Sequence, residues 1–141
     1  MGLASGDPGA HRILVVDDDE DILVLLEKVV TNEGFQVDTA ASGKQALEKI
    51  IANPPSLVLL DLMLPDMGGY EVLRQLQAQD ATVRIPVIIV TGRMMDKSTV
   101  ETFSSEVNVT KFLAKPIRPS VLAGYLHAIL ATTPRSKPKA G

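Results

Sequence analysis

At 141 residues, with 45% hydrophobic and 22% charged content, the chain has the composition of one globular domain large enough for a single core. The absence of cysteine excludes a disulfide framework, a thiolate metal site and a thiol nucleophile. A net charge of -3 argues against a broad nucleic-acid footprint, and no apolar run is long enough to span a bilayer.

Residues 1–10 are rich in Gly, Ala and Ser and read as a disordered lead, with no signal-peptide pattern. His11 stands apart from other ligand types. Ile13, Leu14, Val15 and Val16 form an unbroken apolar run, as expected of a strand buried on both faces. The run ends in Asp17, Asp18, Asp19, Glu20 and Asp21. Ile22, Leu25, Leu26, Val29 and Val30 then recur at the helical period, and Gly34 suits a helix stop. Acids in that first turn suit the helix dipole.

Residues 35–39 alternate and predict an edge strand. Ser42 with Gln45 three residues on resembles a capping box, opening a helix through Ala46, Leu47, Ile50 and Ile51 that Pro54 and Pro55 stop. Residues 56–60 form the next buried strand, which delivers Asp61 to its end. Behind it Pro65, Asp66, Met67, Gly68 and Gly69 make a dense turn signal. Tyr70, Leu73 and Leu76 predict a helix over about 69–79.

Residues 86–90 are a further buried strand, with Pro86 at the tolerated first position, ending at Thr91 and Gly92. Residues 96–105 form a weak helix, poor in good helix formers, whose apolar anchors are Val100, Phe103 and Val107. Residues 111–114 make a short strand ending at Lys115 and Pro116. Pro119 suits the first turn of a last helix carrying Val121, Leu122, Tyr125, Ile129 and Leu130. Residues 132–141, with two prolines and no periodicity, read as a flexible tail.

Strands alternating with helices predict an α/β, doubly wound parallel sheet with helices on both faces, spanning residues 11–131. The flavodoxin-like order 2-1-3-4-5 sets the strands ending in Asp17 and Asp61 side by side at the switch point. Four strand ends then meet at one edge, carrying Asp17 and Asp18, Asp61, Thr91, and Lys115. Carboxylates about 4 Å apart repel by about 4 kcal/mol per pair at an effective dielectric of about 20, so the cluster calls for a cation. Oxygen donors without His or Cys favour a hard ion, and Mg²⁺ takes few carboxylates plus waters and a phosphate. A carboxylate, a divalent ion, an ammonium and a hydroxyl are the parts needed to accept a phosphoryl group.

The residues 13–18, 60–65 with Gly68 and Gly69, 90–92 and 112–116 together resemble the receiver domain of two-component response regulators, a CheY-like family. The resemblance covers about residues 11–131. It implies that Asp61 is the phospho-acceptor, supplied by a phosphohistidine on a histidine kinase or a histidine phosphotransfer protein. It also implies Mg²⁺ held by Asp18 and Asp61, the Met63 carbonyl and, through water, Asp17. Thr91 and Lys115 are then expected on the phosphoryl oxygens, with Phe112 as an aromatic switch following Thr91. A cis bond before Pro116 is expected to turn Lys115 toward Asp61.

The resemblance also implies that the residues two beyond the acceptor and two beyond Thr91, here Met63 and Arg93, flank the path of the hydrolytic water and tune phosphoryl lifetime. Met63 cannot orient a water and Arg93 can shield the group, so slow self-hydrolysis is expected. The surface of the fourth helix, last strand and last helix is expected to carry the signal to a downstream protein or output domain, with room for a phosphorylation-dependent homodimer. The expected location is the cytoplasm, with no membrane and no direct nucleic-acid contact.

Gly92 departs from the family's usual Ala, and residues 105–110 lack the small turn common before the last strand. The chain reads either as a free-standing receiver or as one cut from a longer protein. Two alternatives compete. One is a receiver-like binding module that works without phosphorylation. The other is a haloacid-dehalogenase-like phosphatase with Asp17 as nucleophile and Asp19 as general acid.

Overall fold

The computed structural model describes residues 6–92 and 97–134. Strands β1 (Arg12–Val16), β2 (Gln36–Ala40), β3 (Leu57–Asp61), β4 (Val87–Thr91) and β5 (Val109–Ala114) form one parallel sheet in the order β2-β1-β3-β4-β5. Helices α1 (Glu20–Asn32), α2 (Gly43–Ala52), α3 (Gly69–Gln77), α4 (Lys97–Ser104) and α5 (Pro119–Leu130) connect or follow them. This is the doubly wound, flavodoxin-like fold expected from the alternation of elements.

The apolar strands explain the layering, because successive side chains point to opposite faces. Leu14, Val16, Val58, Leu60, Val87 and Ile89 meet Ala46 and Ile50 of α2 and Val72, Leu73 and Leu76 of α3. Ile13, Val15, Leu57, Leu59, Ile88 and Val90 meet Leu26, Val29 and Val30 of α1 and Leu122 and Leu126 of α5. Every residue of β3 and β4 is buried, whereas β5 is buried nowhere along its length.

Register carries the strand ends to one level. Val16 pairs with Leu60, so Asp17 and Asp61 each lie one step beyond a paired position. Asp61 pairs with Val90 and Thr91 with Ala114, which places Thr91 and Lys115 beside them. The Lys115 N–H also donates to the Thr91 carbonyl at 2.8 Å.

Some boundaries meet expectation and others differ, each for a local reason. α1 begins inside the acidic run, with Glu20 and Asp21 in its first turn as expected, because the Asp19 carboxylate caps it by accepting from the Asp21 and Ile22 N–H groups. Ser42 does cap α2, accepting from the Gln45 N–H at 3.1 Å. The return bond of the expected box lands one residue early, from the Ala41 N–H to Gln45 Oε1 at 2.7 Å. β5 starts at Val109, two residues before the expected strand, and its register slips at Thr110, Val109 pairing with Val87 and Lys111 with Ile88. Val107 lies past the end of α4 and is 78% exposed, so it does not anchor that helix.

The ends of the domain are more structured than their composition suggested. Pro8–Ala10 form a 3-10 turn capped by Asp7, and Pro8 is buried, so this part of the lead is folded. At the other end Thr132 is buried and its hydroxyl meets His127 Nδ1 at 2.7 Å. The Thr133 N–H donates to the Gly6 carbonyl at 2.9 Å, closing the two ends on each other.

Candidate functional site

The acidic edge is built by three connections. Asp17 follows β1 and is 1% exposed; its N–H donates to the Ala40 carbonyl at 3.1 Å, and its Oδ1 accepts from the Asp19 N–H at 2.9 Å. Asp61 ends β3 and is 5% exposed, with Oδ1 accepting from the Met63 N–H at 3.1 Å. Lys115 reaches in from the end of β5, its Nζ 2.7 Å from Asp17 Oδ2 and 3.5 Å from Asp61 Oδ2. The peptide bond between Lys115 and Pro116 is cis. Thr91 lies buried at the end of β4, while Asp18 is exposed at the rim.

The loop from Leu62 to Gly68 wraps tightly beside Asp61. Met63 bridges to Gly68, and the Gly69 N–H donates to the Leu62 carbonyl at 3.0 Å. A Cβ at Gly69 would lie 2.9 Å from Leu62 Cα and 3.2 Å from the Asp61 carbonyl oxygen, so only glycine lets the chain turn here. The Met63 side chain is 56% exposed at the mouth of the site. At Gly92 the opposite holds: a Cβ would meet Lys115 Cδ at 3.6 Å, an ordinary contact, so the departure from Ala removes bulk without being required by space.

The electrostatics follow from this crowding. Burial, together with the neighbouring Asp17 charge, pushes the Asp61 carboxyl above its ordinary range against the opposing Met63 N–H and Lys115. Burial works against the Lys115 ammonium, but its bond to Asp17 and the charges of Asp61 and Asp17 outweigh it and raise its pKa. Carboxylate oxygens of Asp17, Asp18 and Asp61 all lie within 4.8 Å of one another. This all-oxygen donor set, two members buried and one facing solvent, fits a hard divalent cation with open positions for water and a phosphate.

Phe112 lies on β5, partly buried, and its ring meets that of Phe103 on α4 at 6.1 Å. Phe103 in turn meets Tyr70 at the start of α3 at 5.6 Å, edge to face. The aromatic chain from β5 to α3 was not foreseen, since nothing local in the sequence pairs positions so far apart. Arg93 lies outside the described residues. Asp19, the general acid of the phosphatase alternative, instead caps α1, accepting from the Asp21 and Ile22 N–H groups.

An open parallel sheet whose switch-point edge gathers three carboxylates, a lysine and a threonine defines a signalling receiver by fold and site together. Residues 13–127 match the family described as the response regulator receiver domain, and the chain belongs to that family. It is 34% identical over 119 residues to the alkaline phosphatase synthesis transcriptional regulatory protein PhoP of Bacillus subtilis, covering 84% of this chain and 48% of that protein. It is 36% identical over 124 residues to the DNA-binding response regulator MtrA of Mycolicibacterium smegmatis, covering 88% and 52% respectively. The chain thus spans about half the length of these curated relatives. Among solved structures, a CheY-like response regulator receiver domain protein from Methanospirillum hungatei aligns with a TM-score of 0.76 at 30% identity, over 86% of this chain and 94% of that one. Among the described residues, no helix is long and apolar enough to cross a membrane.

Proposed function

We propose that this receiver takes a phosphoryl group on Asp61 from a phosphohistidine of a histidine kinase or histidine phosphotransfer protein in the cytoplasm. The observation that carries this reading is the Asp61 carboxylate, 5% exposed, lying 3.5 Å from Lys115 Nζ within a cluster of three acids. A carboxylate oxygen of Asp61 attacks phosphorus, a P–O bond forms, the P–N bond breaks, and the imidazole nitrogen keeps the electron pair. Asp18, Asp61 and the Met63 carbonyl would hold Mg²⁺ directly, with Asp17 acting through water. That ion supplies charge neutralisation and orients the phosphoryl oxygens.

Lys115 neutralises the incoming group as its partners change. Its ammonium, shared between Asp17 and Asp61 beforehand, moves onto a phosphoryl oxygen once Asp61 is modified. Thr91 donates its hydroxyl to a second oxygen. Phe112 follows Thr91, and the surface of α4, β5 and α5 presents the change to a downstream protein or an output domain, or to a second copy. No nucleic-acid contact is assigned to this domain, although relatives of about twice its length are named as regulators of transcription or as DNA-binding.

Met63 offers no acid or amide to orient a hydrolytic water, and a long, charged Arg93 can shield the phosphoryl group and pair with it, so self-hydrolysis is slow. Met63→Asn is expected to lose the phosphoryl group no more slowly than wild type.

Incubation with a small acyl phosphate and Mg²⁺, followed by intact mass measurement, tests the reading. One phosphoryl group is expected on the wild type and none on Asp61→Asn. No uptake by the folded wild type would favour a phosphorylation-independent module. Equal uptake by Asp61→Asn would remove Asp61 from its role.

A further inference from the structure

The outer donors of α2 are satisfied from a distant part of the chain. A helix leaves its first N–H groups without internal partners. Ser42 provides for α2's third residue, its hydroxyl accepting from the Gln45 N–H. The two groups ahead of it, the N–H of Gly43 and of Lys44, donate instead to Asp66, to Oδ1 at 2.9 Å and Oδ2 at 2.9 Å. Both oxygens of one carboxylate are therefore committed to one helix end, an arrangement that is charge-assisted and favoured by the helix dipole.

Asp66 sits at the tip of the loop that holds Met63, and three bonds at the loop's base close it onto Asp61. They are the Met63 N–H to Asp61 Oδ1, the Gly69 N–H to the Leu62 carbonyl, and the bridge between Met63 and Gly68. Met67 seals the tip from the other side. A Cβ on Gly43 would lie 2.3 Å from Met67 Cγ, so the loop rests directly on the helix end. The same connection also serves the other buried acid, since the Asp17 N–H donates to the Ala40 carbonyl. The segment from Ala40 to Lys44 is thus a common reference for both carboxylates.

We propose that Asp66 is a positioning residue: by clipping its loop to α2 it fixes the Met63 backbone against Asp61, and so sets the acidic site for its cation. The clip itself rests on geometry alone, and only its consequence for the cation rests on the receiver reading. The same two N–H groups, Lys44 first and Gly43 next, hold the Asp66 carboxyl below its usual range, so the clip stays charged at neutral pH.

The test compares the full chain with Asp66→Ala, Asp66→Asn and Ser42→Ala by amide NMR, using Mg²⁺ alone as the probe. Asp66→Ala is expected to speed Met63 amide exchange about tenfold and weaken Mg²⁺ binding about tenfold, as loss of an outer-shell support does. Asp66→Asn, which keeps one acceptor oxygen, recovers part of both. Ser42→Ala removes a cap from the same helix without touching the loop, and leaves both values within about twofold of wild type.

Unchanged Met63 exchange and Mg²⁺ affinity in folded Asp66→Ala would overturn the proposal. So would a Ser42→Ala variant that reproduced the loss, because the effect would then belong to α2 alone. Should Asp66→Ala fail to fold, Asp66→Asn against Ser42→Ala decides on the same readouts. Phosphoryl uptake is not used, so failure of the receiver chemistry would leave this comparison intact.

Discussion

α1 and α4 both lead away from the functional edge, yet they are held very differently. α1 runs over thirteen residues, is capped by Asp19, and buries Leu26, Val29 and Val30 against the sheet. α4 runs over eight residues, and among the described side chains its contribution to the core is the partly buried Phe103. The Thr102 hydroxyl within it donates to the Ser98 carbonyl at 2.8 Å, and that of Ser105, one residue past its end, to the Thr102 carbonyl at 2.8 Å. Such bonds compete with helix formation. The contrast predicts that the acidic edge stays rigid, while the helix after Thr91 is the part whose population a small pull would shift.

Core truncations should show the contrast most strongly. Ile89 is fully buried in β4, and Ile89→Ala should cost about 3–4 kcal/mol in a denaturant titration, the range for a buried aliphatic side chain. Phe103→Ala should cost about 1–2 kcal/mol, below the usual price of a buried aromatic because its ring is only partly covered. Equal losses at the two positions would erase the distinction between sheet and helix.

Charge removal at Asp61, the proposed acceptor, is the next largest effect. Asp61 has its carboxyl raised by burial and by Asp17, so its ionised form is disfavoured in the folded state. The cost is therefore present at neutral pH and fades as pH falls through the raised value toward that of the unfolded chain. In the absence of Mg²⁺, Asp61→Asn should melt a few degrees higher at pH 7, on the order of 1 kcal/mol, with the gain shrinking in acid. A gain that grew on acidification would reverse the assigned sign.

Strengthening α4 gives the smallest effect and the sharpest probe. Thr102→Ala removes a back-bonding hydroxyl and adds a better helix former, for about 0.5 kcal/mol. Amide exchange across Lys97–Ser104 should slow, and the response of that helix to phosphorylation should shrink. An unaltered response would mean that helix stability does not limit the switch.

The same contrast decides what was legible. β1, β3 and β4 were readable because buried parallel strands are written as unbroken apolar runs, and their ends placed Asp17, Asp61 and Thr91 without further help. β5 was half read, because an edge strand with no buried residue leaves no pattern at Val109 and Thr110. The Asp66 clip spans more than twenty residues and uses an acid that looks like any turn residue, so no local rule finds it. Nor could composition show that His127, bonded to Glu33 at 2.9 Å and to Thr132, draws the start of the tail into the fold. In each case the missing information was a tertiary partner.

Hydrogen exchange of the unmodified and the acyl-phosphate-treated protein tests the central claim, that a rigid acceptor site acts on a weakly held helix. The account predicts fast exchange across Lys97–Ser104 before modification, and a change there on phosphorylation larger than in α1 or α2. Slow exchange in α4 that phosphorylation of Asp61 leaves untouched would contradict it.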